Sequence, residues 1–386
     1  MFPPINQNPA SFNALSVAAQ HHPHINETPA ASQSLCDRIN SCSRWISETF
    51  QSCSATVCDL WEHRAMLSPT THFSPGKLIS ADPLYKDELR TLRNQLRSQL
   101  SGLPIHLGVQ RNTSEERFLD GMLFNVDYVD TLQNPNLAEG KRSIYKDGRP
   151  TVILFGGNAS FYEENPEEID YYLSQGFNVM AFNYSGYGES QGSPSQKTLD
   201  QDAEAIFQEV KRQCPNEEKI VLHGHSIVGG IASKLAKKHP STTVILERSF
   251  ARIQDIVPNF LRSVGNNTMR NICNCVETCL VEYSKGYCNY NNRKALKNVR
   301  RVYMTIGACD DMMGEVSSQK LRDFCSTCTS SEIKRKFVML SKNHVTTFLR
   351  PSSNRRRSDE DLMRFNSHIM DDLQKELGIL FPINSI

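Results

Sequence analysis

Six short apolar runs constrain the fold of this chain more than any other feature. They are Thr151–Gly157, Phe177–Tyr184, Lys219–Gly224, Thr242–Arg248, Arg301–Gly307 and Lys336–Ser341, and from Val152 to Leu340 they are nearly continuous Val, Ile, Leu and Met. Strands buried on both faces have this composition, which is typical of a parallel sheet covered by helices. An earlier strand is predicted in FLDGMLFNVDYV (118–129). Segments 199–214, 226–240 and 358–380 have helical spacing, so the alternation predicts a doubly wound, mostly parallel α/β domain.

The composition divides the 386 residues into three parts. Residues 1–34 are rich in Pro, Ala, Asn, Ser and His without periodicity, which predicts disorder. Residues 35–110 form a predicted N-terminal helical extension, and residues 111–386 form the α/β domain. Residues 249–298 separate two strands and have helical apolar spacing, so they are predicted to be a cap insertion.

The N-terminal extension contains two predicted helices. An apolar stripe from Leu35 to Leu60 steps by threes and fours. This helix is expected to pack on the domain, pack on a partner or lie on a membrane surface. Its polar face mixes acidic and basic residues, which favours packing and not membrane binding. The second helix, Leu84–Leu100, is dominated by charged residues and is predicted to be a mostly exposed connector.

Composition also excludes several classes of function. The formal net charge is +1, so nothing favours nucleic-acid binding. No apolar run approaches the ~20 residues of a membrane span, and the N-terminus lacks the features of a signal peptide. These observations predict a cytoplasmic protein, with secretion independent of a signal peptide as the alternative. The 12 cysteines include the clusters Cys273–Cys288 and Cys325–Cys328, but no ligand set is complete, so no metal and no cofactor are predicted.

Reactive side chains follow three of the predicted strands. Ser226 follows Lys219–Gly224, Asp310 and Asp311 follow Arg301–Gly307, and His344 follows Lys336–Ser341. In a parallel sheet these positions share the carboxyl-end edge, where binding sites form. The order Ser, Asp, His is that of a serine nucleophile with a later acid and a last histidine. His344 is the predicted base, and Asp310, with Asp311 as the alternative, would orient its imidazole.

A serine nucleophile also needs backbone donors for the oxyanion that forms during acyl transfer. The amide of Ile227 lies at a helix N-terminus, where the helix dipole favours negative charge. The second donor is expected in the loop GGNAS after the strand Thr151–Gly157, and the amide of Asn158 is the candidate.

These motifs resemble those of the α/β-hydrolase superfamily, and within it the Bem46-like serine hydrolases. FGGNAS is similar to the HGNAG loop of that branch, and FNYSGYGESQGSPS (182–195) is similar to its Y-R-G-Y-G-x-S-x-G-x-P-S segment. The resemblance covers about residues 115–380 and implies the α/β-hydrolase fold and a small-molecule or acyl-chain substrate. The whole chain also resembles chlamydial CHLPS-type proteins of similar length.

Two departures from the family pattern leave a second hypothesis open. Val228 replaces the second glycine of G-x-S-x-G, and Gly156 replaces the histidine before the oxyanion glycine. An isopropyl group at residue 228 is expected to push the following helix outward or bend the loop, and a misplacement of about 1 Å costs around 100-fold in rate. The alternative is therefore a catalytically weakened scaffold that acts as an interaction or secreted effector protein. A metal-dependent hydrolase would need a carboxylate and histidine cluster that the sequence does not display.

Overall fold

The computed structural model describes residues 83–111, 113–125, 148–157, 160–256, 290–310, 313–327, 332–343 and 361–379. The two predictions for the N-terminus, disorder at 1–34 and a helix at Leu35–Leu60, lie outside these ranges. Most of the cap insertion, residues 257–289, also lies outside them.

The described chain contains an eight-stranded sheet. Its strands are β1 (Leu103–Val109), β2 (Arg117–Phe124), β3 (Thr151–Phe155), β4 (Asn178–Phe182), β5 (Ile220–His225), β6 (Thr243–Glu247), β7 (Arg301–Cys309) and β8 (Lys334–Asn343). The helices are α1 (Pro83–Gln99), α2 (Pro166–Ser174), α3 (Gln196–Gln213), α4 (Gly229–Lys238), α5 (Asn292–Ala295), α6 (Gly314–Ser326) and α7 (Asp371–Leu377). Short 3₁₀ turns cover Tyr162–Glu164, Glu217–Lys219 and Ser226–Val228, and a π-helical turn, Asn366–Met370, precedes α7.

The sheet is mostly parallel, and this places the candidate residues at one edge. The strand order is β1-β2-β4-β3-β5-β6-β7-β8. Strand β2 is antiparallel to both neighbours, whereas β4, β3, β5, β6, β7 and β8 pair in parallel. The carboxyl ends of the parallel strands therefore face the same side of the sheet, where clefts form in α/β proteins.

Two apolar layers enclose the sheet. One face carries side chains such as Ile153, Leu222 and Leu246, which pack with α3, α4 and α6. The other carries Val152, Val221 and Ile245, which pack with α2 and the C-terminal helix. Burial on both faces explains the near-continuous apolar composition of the central strands.

The predicted strands are confirmed, with ends that differ by a few residues. Strand β1 is not among them, although it forms the edge of the sheet and pairs with β2 along its whole length. The sheet therefore begins at Leu103, before residue 111, where the α/β domain was expected to start.

Helix α1 differs from its prediction as a mostly exposed connector. Most of its charged residues are exposed, but Leu89, Leu96 and the following Leu100 are buried in the two apolar layers. The spacing of seven and four residues places them on one face, because a helix repeats every 3.6 residues. Helix α1 is thus a packed part of the domain. No helix within the described ranges has the length and hydropathy of a membrane span.

Candidate active site

Ser226 lies at a sharp turn between a strand and a helix. It directly follows β5, begins the 3₁₀ turn Ser226–Val228 and is followed by α4. Its backbone is left-handed, with φ of +58°. This conformation is uncommon for a residue other than glycine and costs on the order of 1–3 kcal/mol, so it persists only where the surrounding structure enforces it.

The turn is enforced by close packing of α4 against β5. A methyl group on Gly224 would lie 2.9 Å from Cα of Gly229 and 3.1 Å from Cβ of Ala232. A methyl group on Gly229 would lie 2.2 Å from Oγ of Ser249. Only glycine fits at both positions, so the helix contacts the sheet backbone directly.

Val228 packs into the core beside this contact. Its side chain is 3% exposed and joins the apolar layer formed with α3, α4 and α6. Gly229, and not residue 228, makes the close contact with β5. The expectation that Val228 shifts the helix or bends the loop stays a prediction.

Ser249, which lies just after β6, is hydrogen-bonded to the serine turn. Its hydroxyl donates a 2.8 Å hydrogen bond to the carbonyl of Ser226. The amide of Asn292 donates to the same hydroxyl at 3.2 Å and to the carbonyl of Phe250 at 2.7 Å. Ser249, Phe250 and Asn292 are buried, so these bonds are shielded from water and fix the turn.

Asp310 directly follows β7 and is buried. Its Oδ1 atom accepts a 3.0 Å hydrogen bond from the amide of Met313. Its carbonyl accepts from the amide of Gly314, the first residue of α6, whose φ is +69°. Asp310 is therefore held in a tight turn at the same edge of the sheet as Ser226.

Of the remaining predicted site residues, one is described by the structure and three are not. Ile227 is buried in the turn after Ser226, ahead of the first turn of α4. Asn158, Asp311 and His344 lie outside the described residues. Strand β8 ends at Asn343, so His344 is the next residue in the sequence.

His225 has a position that the sequence did not indicate. A methyl group on Gly157 would lie 3.0 Å from Nδ1 of His225, so the imidazole packs against the start of the loop after β3. The family pattern has a histidine within that loop, at the position of Gly156. Here a histidine at the end of β5 contacts the loop instead.

A second buried cluster lies beneath this edge and contains Glu168, His223, Glu247 and Arg248. His223 Nδ1 is 3.0 Å from Oε1 of Glu168, and its Nε2 is 3.4 Å from Oε2 of Glu247. Arg248 donates to the other oxygen of Glu247. Burial by itself would lower the pKa of His223, but its hydrogen bonds to Glu168 and Glu247 raise that pKa to about 9.

This cluster also contains the side chains of a potential metal site. Glu168, His223 and Glu247 are the one group of potential ligands found in the described part of the chain. The two carboxylates contact different nitrogens of the imidazole, so both ring nitrogens already have an acidic partner. With His223 protonated, the two carboxylates, the imidazolium and the guanidinium balance in charge. We interpret the cluster as an ion-pair network that joins α2, β5 and β6.

Comparison with known proteins assigns the fold. The family model of the α/β hydrolase fold matches residues 150–247, which include β3, β5 and the serine turn. The matched residues belong to a sheet in which β2 is antiparallel to its neighbours and β3 lies between β4 and β5. The chain is an α/β-hydrolase-fold protein.

Several relatives share this part of the chain. The chain is 37% identical over 101 residues to a multifunctional-autoprocessing repeats-in-toxin of Vibrio vulnificus, covering 26% of this chain and 2% of the toxin. It is 33% identical over 116 residues to the protein bem46 of Schizosaccharomyces pombe, covering 29% of this chain and 39% of bem46. It is 28% identical over 126 residues to the lysophosphatidylserine lipase ABHD12 of Danio rerio, covering 31% and 32%. The matched region thus spans well under half of each relative.

Among solved structures, an α/β hydrolase from Vibrio vulnificus is similar with a TM-score of 0.48 and 18% identity, covering 77% of this chain and 95% of that one.

Proposed function

We propose that this α/β hydrolase is a serine hydrolase that cleaves an ester, thioester or amide through an acyl-enzyme intermediate. The observation that carries the proposal is the left-handed backbone of Ser226 at the β5–α4 turn. Such a turn presents the residue at the edge of the sheet and places the next amide, that of Ile227, at a helix N-terminus. Strained backbone of this kind is concentrated at active sites.

The proposed roles follow from the chemistry of acyl transfer. Ser226 Oγ attacks the carbonyl carbon while His344 accepts the hydroxyl proton. The amides of Ile227 and Asn158 stabilise the oxyanion of the tetrahedral intermediate. His344 then protonates the leaving group, and a water molecule activated by His344 releases the acyl group and restores Ser226.

Asp310 is the proposed acid that orients His344. Strand β6 lies between β5 and β7, so residues that end β5 and β7 are separated by two inter-strand spacings, or about 10 Å. That separation is too large for a hydrogen bond between a serine and an aspartate. An imidazole between them, supplied from the end of β8, would contact both.

The proposed substrate is a small molecule or a lipid with an acyl chain. The similarity to a lysophosphatidylserine lipase supports this class, as does the apolar spacing of the cap insertion. The serine mechanism requires no metal and no cofactor. The cytoplasm remains the predicted location.

Labelling with a fluorophosphonate probe tests the proposal, because this reagent reacts with activated serines. Wild-type protein is expected to label, and Ser226→Ala to lose the label. Ser233→Ala is the matched control, since Ser233 is also buried but lies on α4 away from the turn. Folded wild-type protein that fails to label, or Ser226→Ala that labels normally, would refute the mechanism and favour the scaffold hypothesis.

A further inference from the structure

Arg93 of α1 binds two buried carboxylates from different parts of the fold. Its Nη2 atom lies 2.6 Å from Oδ2 of Asp120 on β2 and 2.6 Å from Oε1 of Glu163. The side chain of Asp120 is 8% exposed and that of Glu163 is fully buried. The charge of Glu163 therefore has little access to water and depends on Arg93 for compensation.

Glu163 lies at the far end of the loop that carries the proposed oxyanion donor. This loop leaves β3 at Phe155 and ends in the 3₁₀ turn Tyr162–Glu164. Asn158 is five residues before Glu163 in the sequence. The turn is thus the second anchor of the loop, and β3 is the first.

Side chains from other parts of the fold also contact that turn. The side-chain amide of Asn183, just after β4, donates to Glu163 at 3.0 Å, and its oxygen accepts from the backbone amide of Tyr162 at 3.2 Å. The Arg93 guanidinium lies 6.0 Å from the ring centroid of Tyr162. Arg93 and Asn183 hold the same turn together, but only Arg93 carries the opposite charge.

We propose that Arg93 is a positioning residue of the hydrolase, which holds the oxyanion loop in place through Glu163. This inference rests on the proposed function. It makes α1, which precedes the region matched to the hydrolase family, a working part of the catalytic unit. The α1 helix acts on the loop through one guanidinium and not through contact with the substrate.

Asp120 and Glu163 provide a matched pair of variants for the test. Asp120→Asn and Glu163→Gln each replace one of the two carboxylates of Arg93 with an amide of the same shape. Each variant leaves Arg93 with one buried carboxylate and with the half-exposed Glu189, 3.5 Å from its Nη1 atom, so the buried charges balance in both. Only Glu163→Gln weakens the charged bond to the loop.

Asp120 is suited to the control because it faces Arg93 from β2, whereas Glu163 belongs to the turn after β3. Burial raises the pKa of both carboxyls, so the two variants differ in the element that they release and not in how easily the carboxyl is neutralised. Asn183 donates to Asp120 at 3.4 Å, and an asparagine oxygen can accept the same bond. We therefore expect Asp120→Asn to change kcat by less than about twofold, whereas the charged bond at Glu163 is lost only in Glu163→Gln.

The experiment measures kcat and KM for hydrolysis of a p-nitrophenyl ester by the full chain. Glu163→Gln is expected to lower kcat at least threefold with KM unchanged, because the loop acts on the transition state. Arg93→Met is expected to lower kcat at least tenfold. Arg93→Lys, which keeps the charge and a donor nitrogen, should recover most of that loss. Arg97→Met, at an exposed position of the same helix, should have no effect.

Hydrogen exchange of the amides in residues 156–165 gives a readout that does not need activity. Faster exchange there in Arg93→Met and Glu163→Gln, but not in Arg97→Met or Asp120→Asn, would support the proposal. Equal kcat and equal exchange in Glu163→Gln and Asp120→Asn would overturn it, since the cluster would then act only as a charge pair. An inert wild type would refute the proposed function and the catalytic role of Arg93, whatever the exchange data show about the loop.

Discussion

Single residues decide whether the serine turn is intact, and Val228 is the critical one. By comparison with the family pattern, a valine at that position suggests a damaged turn. The structure instead buries its side chain and gives the close contact with β5 to Gly229. We expect the substitution to be accommodated, because the helix needs one glycine facing β5, and residue 229 provides it.

This arrangement predicts the effect of restoring the family glycine. Val228→Gly should lower the free energy of unfolding by about 2–3 kcal/mol, because it removes a buried isopropyl group and adds backbone freedom. It should not raise the rate of fluorophosphonate labelling. Urea unfolding and labelling kinetics measure the two effects, with Val316→Gly on α6 as the control, since Val316 is 60% exposed. A tenfold faster labelling of Val228→Gly would show that the valine does distort the turn.

Residue types and their order could be predicted from the sequence, but their contacts could not. Ser226 and Asp310 each directly follow the strands that the apolar runs predict. The supporting roles of Ser249, His225 and Arg93 were not predicted, because each depends on a neighbour far away in the chain. Ser249 contacts residue 226, and Arg93 contacts residue 163. No local pattern in the sequence encodes such pairs.

At the level of elements, the ion-pair cluster of His223 links α2, β5 and β6. His223 faces Glu168 and Tyr172 from α2, Glu247 from β6, and through Glu247 the guanidinium of Arg248. The folded-state pKa of His223 is about 9, above its unfolded value of roughly 6.5. Its contribution to stability is therefore complete below pH 6.5 and is lost as the pH rises through 9.

This loss of stability with rising pH can be tested with two neighbouring glutamates of α2, Glu167 and Glu168. We expect the free energy of unfolding to fall by on the order of 1–3 kcal/mol between pH 6.5 and pH 9.5 through this cluster. Glu168→Gln should reduce that decline, because it removes the charged partner of Nδ1 and lowers the pKa of His223. Glu167→Gln should leave the decline unchanged. Urea unfolding across this pH range measures it, and equal slopes in both variants would refute the assignment.

The strands that were predicted and the strand that was missed differ in environment. The central strands are buried on both faces, so their composition alone identifies them. Strand β1 is at the edge of the sheet, contains Pro104 and alternates between exposed and partly buried residues over its first half. Proline is tolerated at an edge, where one side of the backbone has no partner strand. Edge strands therefore carry a weaker pattern, and β1 was not predicted.

For the whole molecule, the fold could be predicted from the alternation of elements, whereas the place of α1 in it could not. The charged surface of α1 resembles that of a solvated connector. Its buried Leu89 and Leu96 and its Arg93 occupy a minority of its positions, but with the following Leu100 they contact both apolar layers and the turn after β3. A helix rich in charged residues can thus contribute to the core through the few apolar residues on one of its faces.

Two truncations separate the N-terminal extension from the catalytic unit. Deleting residues 1–82 should leave fluorophosphonate labelling intact, whereas deleting residues 1–101 should abolish folded, labelled protein. The longer deletion removes Leu89, Leu96 and Leu100, whose burial is worth about 1.5–3 kcal/mol each, against a typical net stability of about 5–15 kcal/mol. It also leaves Glu163 and Asp120 buried without Arg93. Circular dichroism and labelling of both fragments measure the outcome, and a fragment starting at residue 102 that folds and labels at the full rate would show that α1 is dispensable.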